Sequence, residues 1–212
     1  MQLIDFFNSI EDVYLKIINC EFNKELDTGL LKKQAFERYM QQDSLYLIDF
    51  AKALAITATK SPNTKYFSQL LHLADRALIA ERELHNYYFK AFNILPINIK
   101  NNACIAYTNF LLASAYAHSY EESLVALLHC FYIYREVGNY IKKQSSSTNP
   151  YSLWFDTYSG IEFSNAVDTM LNITQQAITN ISFDSSKCIK LLELFKTSTE
   201  LELFFWNDSY TS

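Results

Sequence analysis

A chain of 212 residues with net charge −5, whose basic residues cluster no further than the doublets Lys32-Lys33 and Lys142-Lys143, has nothing with which to track a phosphate backbone, so nucleic acid is not an expected partner. Half of the residues are hydrophobic and 16% aromatic, against three Gly and three Pro, which leaves too few turn formers for an all-β fold. An all-α protein remains, and the length fits a single helical domain over residues 1–212.

Apolar residues recurring every three or four positions predict helices over 2–20, 33–60, 63–93, 101–117, 120–145, 151–181 and 184–208. The first opens on Met1-Gln2-Leu3-Ile4-Asp5, which has no basic segment and places an acid in its apolar stretch. It does not read as a secretory signal, and the cytoplasm is the expected compartment. Gly29 after Asp27-Thr28 separates the first two helices, Ser61-Pro62 is placed to open the third, and Pro96 interrupts the pattern after Phe92. Asn101 to Tyr120 is the longest uncharged run, but its Asn, Thr, Ser and His mark a buried helix rather than a membrane span. Ser145-Ser146-Ser147-Thr148-Asn149-Pro150 reads as a loop. Tyr46 to Ile56 and Val125 to Tyr134 are apolar around most of the helix, which places both inside a multi-helix bundle with a ligand site between helices.

Four cysteines lie far apart with no CxxC pair, so reduced thiols are the default. Cys20, Cys104 and Cys188 read as small apolar core residues. Cys130, within Ala126-Leu127-Leu128-His129-Cys130-Phe131-Tyr132-Ile133-Tyr134, has the phenol of Tyr134 one turn on, a nucleophile with a hydrogen-bond donor beside it. Asp43, Tyr46 and Phe50 fall on one face of the second helix, setting an acid among aromatics. That acid either accepts hydrogen bonds from a helix end or an Arg, or pairs in two places with an amidine-like ligand edge, leaving Asp49 as the neighbour on the solvent side. Glu202 shares a face with Phe205 and precedes Trp206. It is either a surface acid beside Glu200 or a buried one whose raised pKa suits it to proton transfer. Tyr107, Tyr134 and Tyr158 lie on three further helices, where tyrosines are most often packing residues. Glu81 and His85 have the i, i+4 spacing of metal ligands, but a di-iron centre needs a second Glu-and-His set, and the four histidines are His72, His85, His118 and His129. The pair therefore reads as a structural polar contact and no metal site is expected.

Taken in order, Gly29-Leu30 with Phe36-x-x-Tyr39-x-x-Gln42-Asp43-x-x-Tyr46-Leu47, then Glu83-Leu84-His85, Tyr107-Thr108, Ala126-Leu127-Leu128-x-Cys130-x-x-x-Tyr134, Trp154 with Tyr158, and Glu202-x-x-Phe205-Trp206, the chain resembles the TenA family of thiamin salvage. The resemblance covers nearly the whole chain. It implies a haem-oxygenase-like helical bundle, commonly a homotetramer, with neither metal nor organic cofactor, and Cys130 aligns it with the Cys-bearing branch. It further implies hydrolysis of 4-amino-5-aminomethyl-2-methylpyrimidine to the hydroxymethylpyrimidine and ammonia, with weaker cleavage of thiamin (thiaminase II). By the same resemblance Cys130 is the nucleophile, Glu202 shuttles protons to a ring nitrogen and Asp43 holds the amino-pyrimidine edge. Tyr46, Tyr107, Tyr134, Tyr158 and Phe205 would wall the flat ring. His129 stands where the family often has Pro, either as a packing substitution at a partly exposed position or as a group that perturbs the thiol. A metal-dependent oxidase on the same scaffold and a non-catalytic pyrimidine-binding or regulatory protein are the alternatives.

Overall fold

The computed structural model describes residues 1–146 and 148–211, with the backbone alone at 80–82. Among these, the regular structure is helical throughout: α1 (Leu3–Ser9), α2 (Glu11–Ile18), α3 (Glu21–Thr28), α4 (Lys33–Thr59), α5 (Thr64–Phe92), α6 (Asn102–Ala117), α7 (Tyr120–Gln144), α8 (Ser152–Tyr158), α9 (Ile161–Ile178) and α10 (Ser186–Thr211). The all-α expectation holds.

The centre of the bundle is α7, which packs against α4, α6, α8, α9 and α10. Its sequence dictates this, since Glu122 to Phe131 is buried without interruption and a helix apolar on every side finds no stable place at the surface. The start of α7 is fixed by a capping box, in which the Ser119 hydroxyl accepts from the Glu122 amide and the Glu122 carboxylate accepts from the Ser119 amide. Lys142 and Lys143 sit in the last turn, where cations complement the helix dipole. The other helix expected to be buried all round, α4, keeps a solvent stripe through Ile48 and Lys52.

Long-range polar clamps hold α10 against α4 and α6. Arg38 of α4 donates to the carbonyls of Ser209 (3.0 Å) and Tyr210 (2.9 Å), satisfying two acceptors at the helix end that have no partner within the helix. Asn101, which caps α6 through the Cys104 amide, also donates to Asp208 at 2.6 Å.

Three expected helix bounds are corrected. The segment 2–20 is two helices hinged at Ile10, and periodicity reads through the hinge because Phe6, Ile10, Val13 and Ile17 all stay buried across it. Helix α3 is absent from the expected set. It buries only Phe22, Asn23 and Leu26, too few positions for a periodic signal, and ends at Gly29 in the left-handed region (φ 74°). The segment 151–181 breaks at Ser159-Gly160 into α8 and α9. A side chain at Gly160 would meet the Asp156 and Thr157 carbonyls at 3.0 and 3.2 Å, tight enough that the backbone would have to give by a few tenths of an ångström. Asn63, rather than Ser61-Pro62, caps α5.

Gly138 lets α7 and α8 touch. A Cβ there would lie 2.9 Å from Tyr158 Cβ and 3.1 Å from its carbonyl carbon, so the two helices would have to part. Gly138→Ala is expected to destabilise the fold by about 1–3 kcal/mol, read as a lower urea midpoint; an unchanged midpoint would show that the α7–α8 contact yields easily.

Candidate active site

Five helices deliver the expected site residues to one region. Asp43 and Tyr46 come from α4, Tyr107 from α6, Cys130 and Tyr134 from α7, Tyr158 from α8, and Glu202 and Phe205 from α10. A cavity of about 590 Å³ opens beside them, lined at its inner end by Asp43, Tyr46, Phe50, Cys130, Tyr134 and Tyr158. Towards solvent its wall carries Glu83, Tyr87, Asp156 and the ion pair of Arg76 with Glu162 (2.9 Å). Tyr107, Phe205 and Glu202 do not line it. They lie in the layer behind the wall, where Tyr107 and Phe205 pack against Tyr46 with ring centroids at 4.6 and 6.0 Å.

Asp43 is 2% exposed and its partner is neither an Arg nor a helix end. His85 of α5 donates from Nε2 to Oδ2 at 2.9 Å, which satisfies one carboxylate oxygen and leaves the other to offer a ligand. His85 is thus committed to Asp43; Glu81, its expected i, i+4 partner, lies outside the described side chains. Among the described residues no three His, Cys, Asp or Glu gather as a metal-holding group. Asp49 is not a free solvent-side neighbour. It pairs with Lys52 at 2.8 Å and with Lys100, and those cations hold its pKa below the usual carboxylate value against the effect of burial.

Glu202 is fully buried, not a surface acid beside the exposed Glu200. Burial pushes its pKa up to about 8. The bonds from Tyr107 and Tyr134 oppose that rise, and the charge of Asp43 adds to it. Tyr134 donates to Oε1 at 3.1 Å, and the Tyr107 hydroxyl lies 2.7 Å from Oε2. Tyr134 in turn accepts from Tyr39 (3.2 Å), which accepts from the indole N–H of Trp154 (3.2 Å). The donor beside Cys130 in sequence is therefore turned to the carboxyl group of Glu202. Tyr46 and Tyr107 are both phenolic neighbours of the thiol: burial raises the pKa of each most, and Cys130 adds to both rises.

Three residues acquire contacts that spacing did not assign. Tyr39 and Trp154 extend the hydrogen-bond chain, and His129 closes it. His129 is fully buried rather than partly exposed, with Nδ1 2.9 Å from the Ala126 carbonyl and Nε2 against the Tyr107 hydroxyl. Burial drops its pKa to about 3, the Ala126 bond pulling the other way. The signal for His129 was present in the sequence, since a polar residue inside the apolar run Val125–Tyr134 must find a partner.

The TENA/THI-4/PQQC family model matches residues 8–212. The chain belongs to this family. It is 29% identical to an aminopyrimidine aminohydrolase of Halalkalibacterium halodurans, over 91% of this chain and 88% of that protein. It is also 29% identical to the thiamine biosynthesis multifunctional protein ThiED of Corynebacterium glutamicum over 80% of this chain; the chain spans about a fifth of that protein, 22% of its length. A solved TenA homologue from P. horikoshii OT3 superposes with a TM-score of 0.87 at 27% identity, covering 99% of both chains. A Shewanella denitrificans domain with a haem-oxygenase-like fold superposes at 0.73 with 15% identity, over 99% of this chain and 92% of that one, which gives the family member its fold. No helix among the described residues is long and apolar enough to cross a membrane.

Proposed function

We propose that this family member is a hydrolase of thiamin salvage that converts 4-amino-5-aminomethyl-2-methylpyrimidine to the hydroxymethylpyrimidine and ammonia, with Cys130 as nucleophile. The observation that carries the reading is the convergence of a thiol, a paired carboxylate and an aromatic wall on one cavity, Cys130, Asp43, Tyr46, Tyr134 and Tyr158, with an acid poised near neutrality one layer behind. The near full-length similarity to an aminopyrimidine aminohydrolase supports the same substrate class.

An aminomethyl group on an intact aromatic ring leaves poorly. Addition of the Cys130 thiolate to the electron-poor pyrimidine forms a C–S bond and breaks aromaticity, with a proton taken up at a ring nitrogen. The ring electrons then expel the exocyclic amine, which leaves from its protonated form as ammonia, and water adds to the exocyclic methylene that remains, giving up a proton to solvent. Loss of the ring proton and departure of the thiolate restore the aromatic ring. Glu202 supplies and recovers the proton, with Tyr134, on the cavity wall, donating to its Oε1. Asp43, held by His85, receives the amino edge of the ring.

The reading is tested by incubating purified protein with the aminomethylpyrimidine, and with thiamin in parallel, and following hydroxymethylpyrimidine by chromatography. Faster release from the aminopyrimidine is expected, and no product from either would end the proposal. Asp43→Asn is expected to weaken binding of the hydroxymethylpyrimidine product about 10- to 100-fold by calorimetry, the loss of a charged hydrogen-bond partner. An unchanged affinity would remove Asp43 from that role. A homotetramer in the cytoplasm, built from this one domain and needing no metal or organic cofactor, completes the proposal.

A further inference from the structure

Six hydrogen bonds run in a line through the core behind the cavity: Trp154 to Tyr39, Tyr39 to Tyr134, Tyr134 to Glu202, Glu202 with Tyr107, Tyr107 with His129, and His129 with the Ala126 carbonyl. Both ends of the line have fixed polarity. An indole N–H only donates, and a carbonyl oxygen only accepts. Trp154 therefore turns the Tyr39 hydroxyl onto Tyr134 and the Tyr134 hydroxyl onto Glu202 Oε1. At the other end Ala126 takes the Nδ1 proton of His129, so in a neutral imidazole Nε2 is an acceptor and claims the single proton of Tyr107.

The bond that Tyr107 would otherwise donate to an ionised Glu202 at Oε2 then lacks a proton unless Glu202 carries one. An ionised Glu202 with a neutral His129 leaves one of the two Tyr107 contacts facing lone pair to lone pair. Moving the missing proton onto His129 instead would create two charges in a region where neither side chain has any exposure, a costly arrangement.

We propose that His129, acting through the Tyr107 hydroxyl, is the positioning residue that keeps Glu202 protonated in the resting site, so that the enzyme begins its cycle with a loaded proton donor. This deepens the proposed hydrolysis and rests on it for its catalytic meaning. The groups facing Glu202 are Asp43, Tyr39 and Tyr46 from α4, Tyr107 from α6, and Tyr134 and His129 from α7. Asp43 opposes ionisation of Glu202, and the phenols are themselves held protonated by burial. His129 is the group that decides which way the Tyr107 proton points. A leucine there would release that proton to Glu202 Oε2, and every remaining bond of the line would be satisfied with Glu202 ionised.

Two measurements on the intact protein test this without turnover. Nitrogen-15 spectra of labelled wild type at neutral pH are expected to show His129 protonated at Nδ1 and unprotonated at Nε2. The opposite tautomer or a doubly protonated ring would overturn the proposal whether or not any variant folds. Infrared titration is expected to show a protonated carboxyl band at pH 7, assigned by its loss in Glu202→Gln. In His129→Leu that band is expected to disappear at a pH lower by about one unit, a tenfold change in proton affinity, and the alkaline limb of kcat/KM is expected to move with it. A carboxyl titration identical in His129→Leu and wild type would overturn the role of His129. Absence of aminopyrimidine hydrolysis with these spectra intact would instead count against the reaction alone.

Discussion

Cys130→Ser is expected to lower kcat for aminopyrimidine hydrolysis by about 10³-fold or more, while the affinity for the hydroxymethylpyrimidine changes by less than about threefold. The asymmetry follows from the chemistry. A serine hydroxyl nearly matches the thiol in size and sits against the same Tyr46 and Phe131 surroundings, so the cavity wall and the Asp43 contact persist. The alkoxide needed to attack the ring, however, is inaccessible at neutral pH, whereas a thiolate is not. A factor of 10³ corresponds to about 4 kcal/mol in the barrier, which is within what one covalent step supplies. Steady-state kinetics and calorimetry on the same preparation separate the two quantities. Retention of more than about a tenth of the wild-type kcat would sink the covalent route.

Glu202→Gln should cost about 10²- to 10⁴-fold in kcat, the usual contribution of a positioned proton donor and acceptor, and it should also change how stability depends on pH. The folded pKa of Glu202 is about 8 against an ordinary value of 4.5. Between those values the folded protein holds a proton that the unfolded chain has released, so this group's contribution to stability falls as pH rises through the window. His129 acts in the opposite sense. Its folded pKa of about 3 lies below the ordinary 6.5, so its contribution grows as pH rises from 3 to 6.5 and is complete above that. The two trends offset one another between 4.5 and 6.5. From 6.5 to 8 Glu202 alone of the pair titrates, and at about 1.4 kcal/mol per unit the wild type loses roughly 2 kcal/mol there. Urea denaturation at a series of pH values is expected to show that decline in wild type and a flatter profile in Glu202→Gln. Equal slopes would mean that Glu202 does not carry the raised pKa.

Much of the architecture was legible because burial leaves a periodic trace. The largely apolar run through Val125–Tyr134 places α7 inside the bundle, and the caps Asn63, Asn101 and Ser119 are the residue types that helix starts select. Where that trace failed, the reason was local. The hinge at Ile10 preserves the apolar spacing, α3 buries too little to show one, and the corner at Gly160 brings its backbone close to two carbonyls of the preceding helix. The candidate site was legible in its members more than in their roles. Asp43, Cys130 and Glu202 do converge on one region, but the partner of Asp43 is His85, and the phenol one turn from Cys130 serves Glu202.

By itself the sequence determined the helical class and the set of chemically capable side chains, because each of these follows from residue type and spacing along one helix. Tertiary structure alone decided which side chains face the cavity, which stand behind it, and how the protons are distributed among them. Those outcomes depend on distances between groups far apart in the chain, such as Tyr107 and Glu202 or Tyr39 and Trp154, and on the loss of solvent around them. A carboxyl group's pKa responds to both, and neither is written in the residues on either side of it.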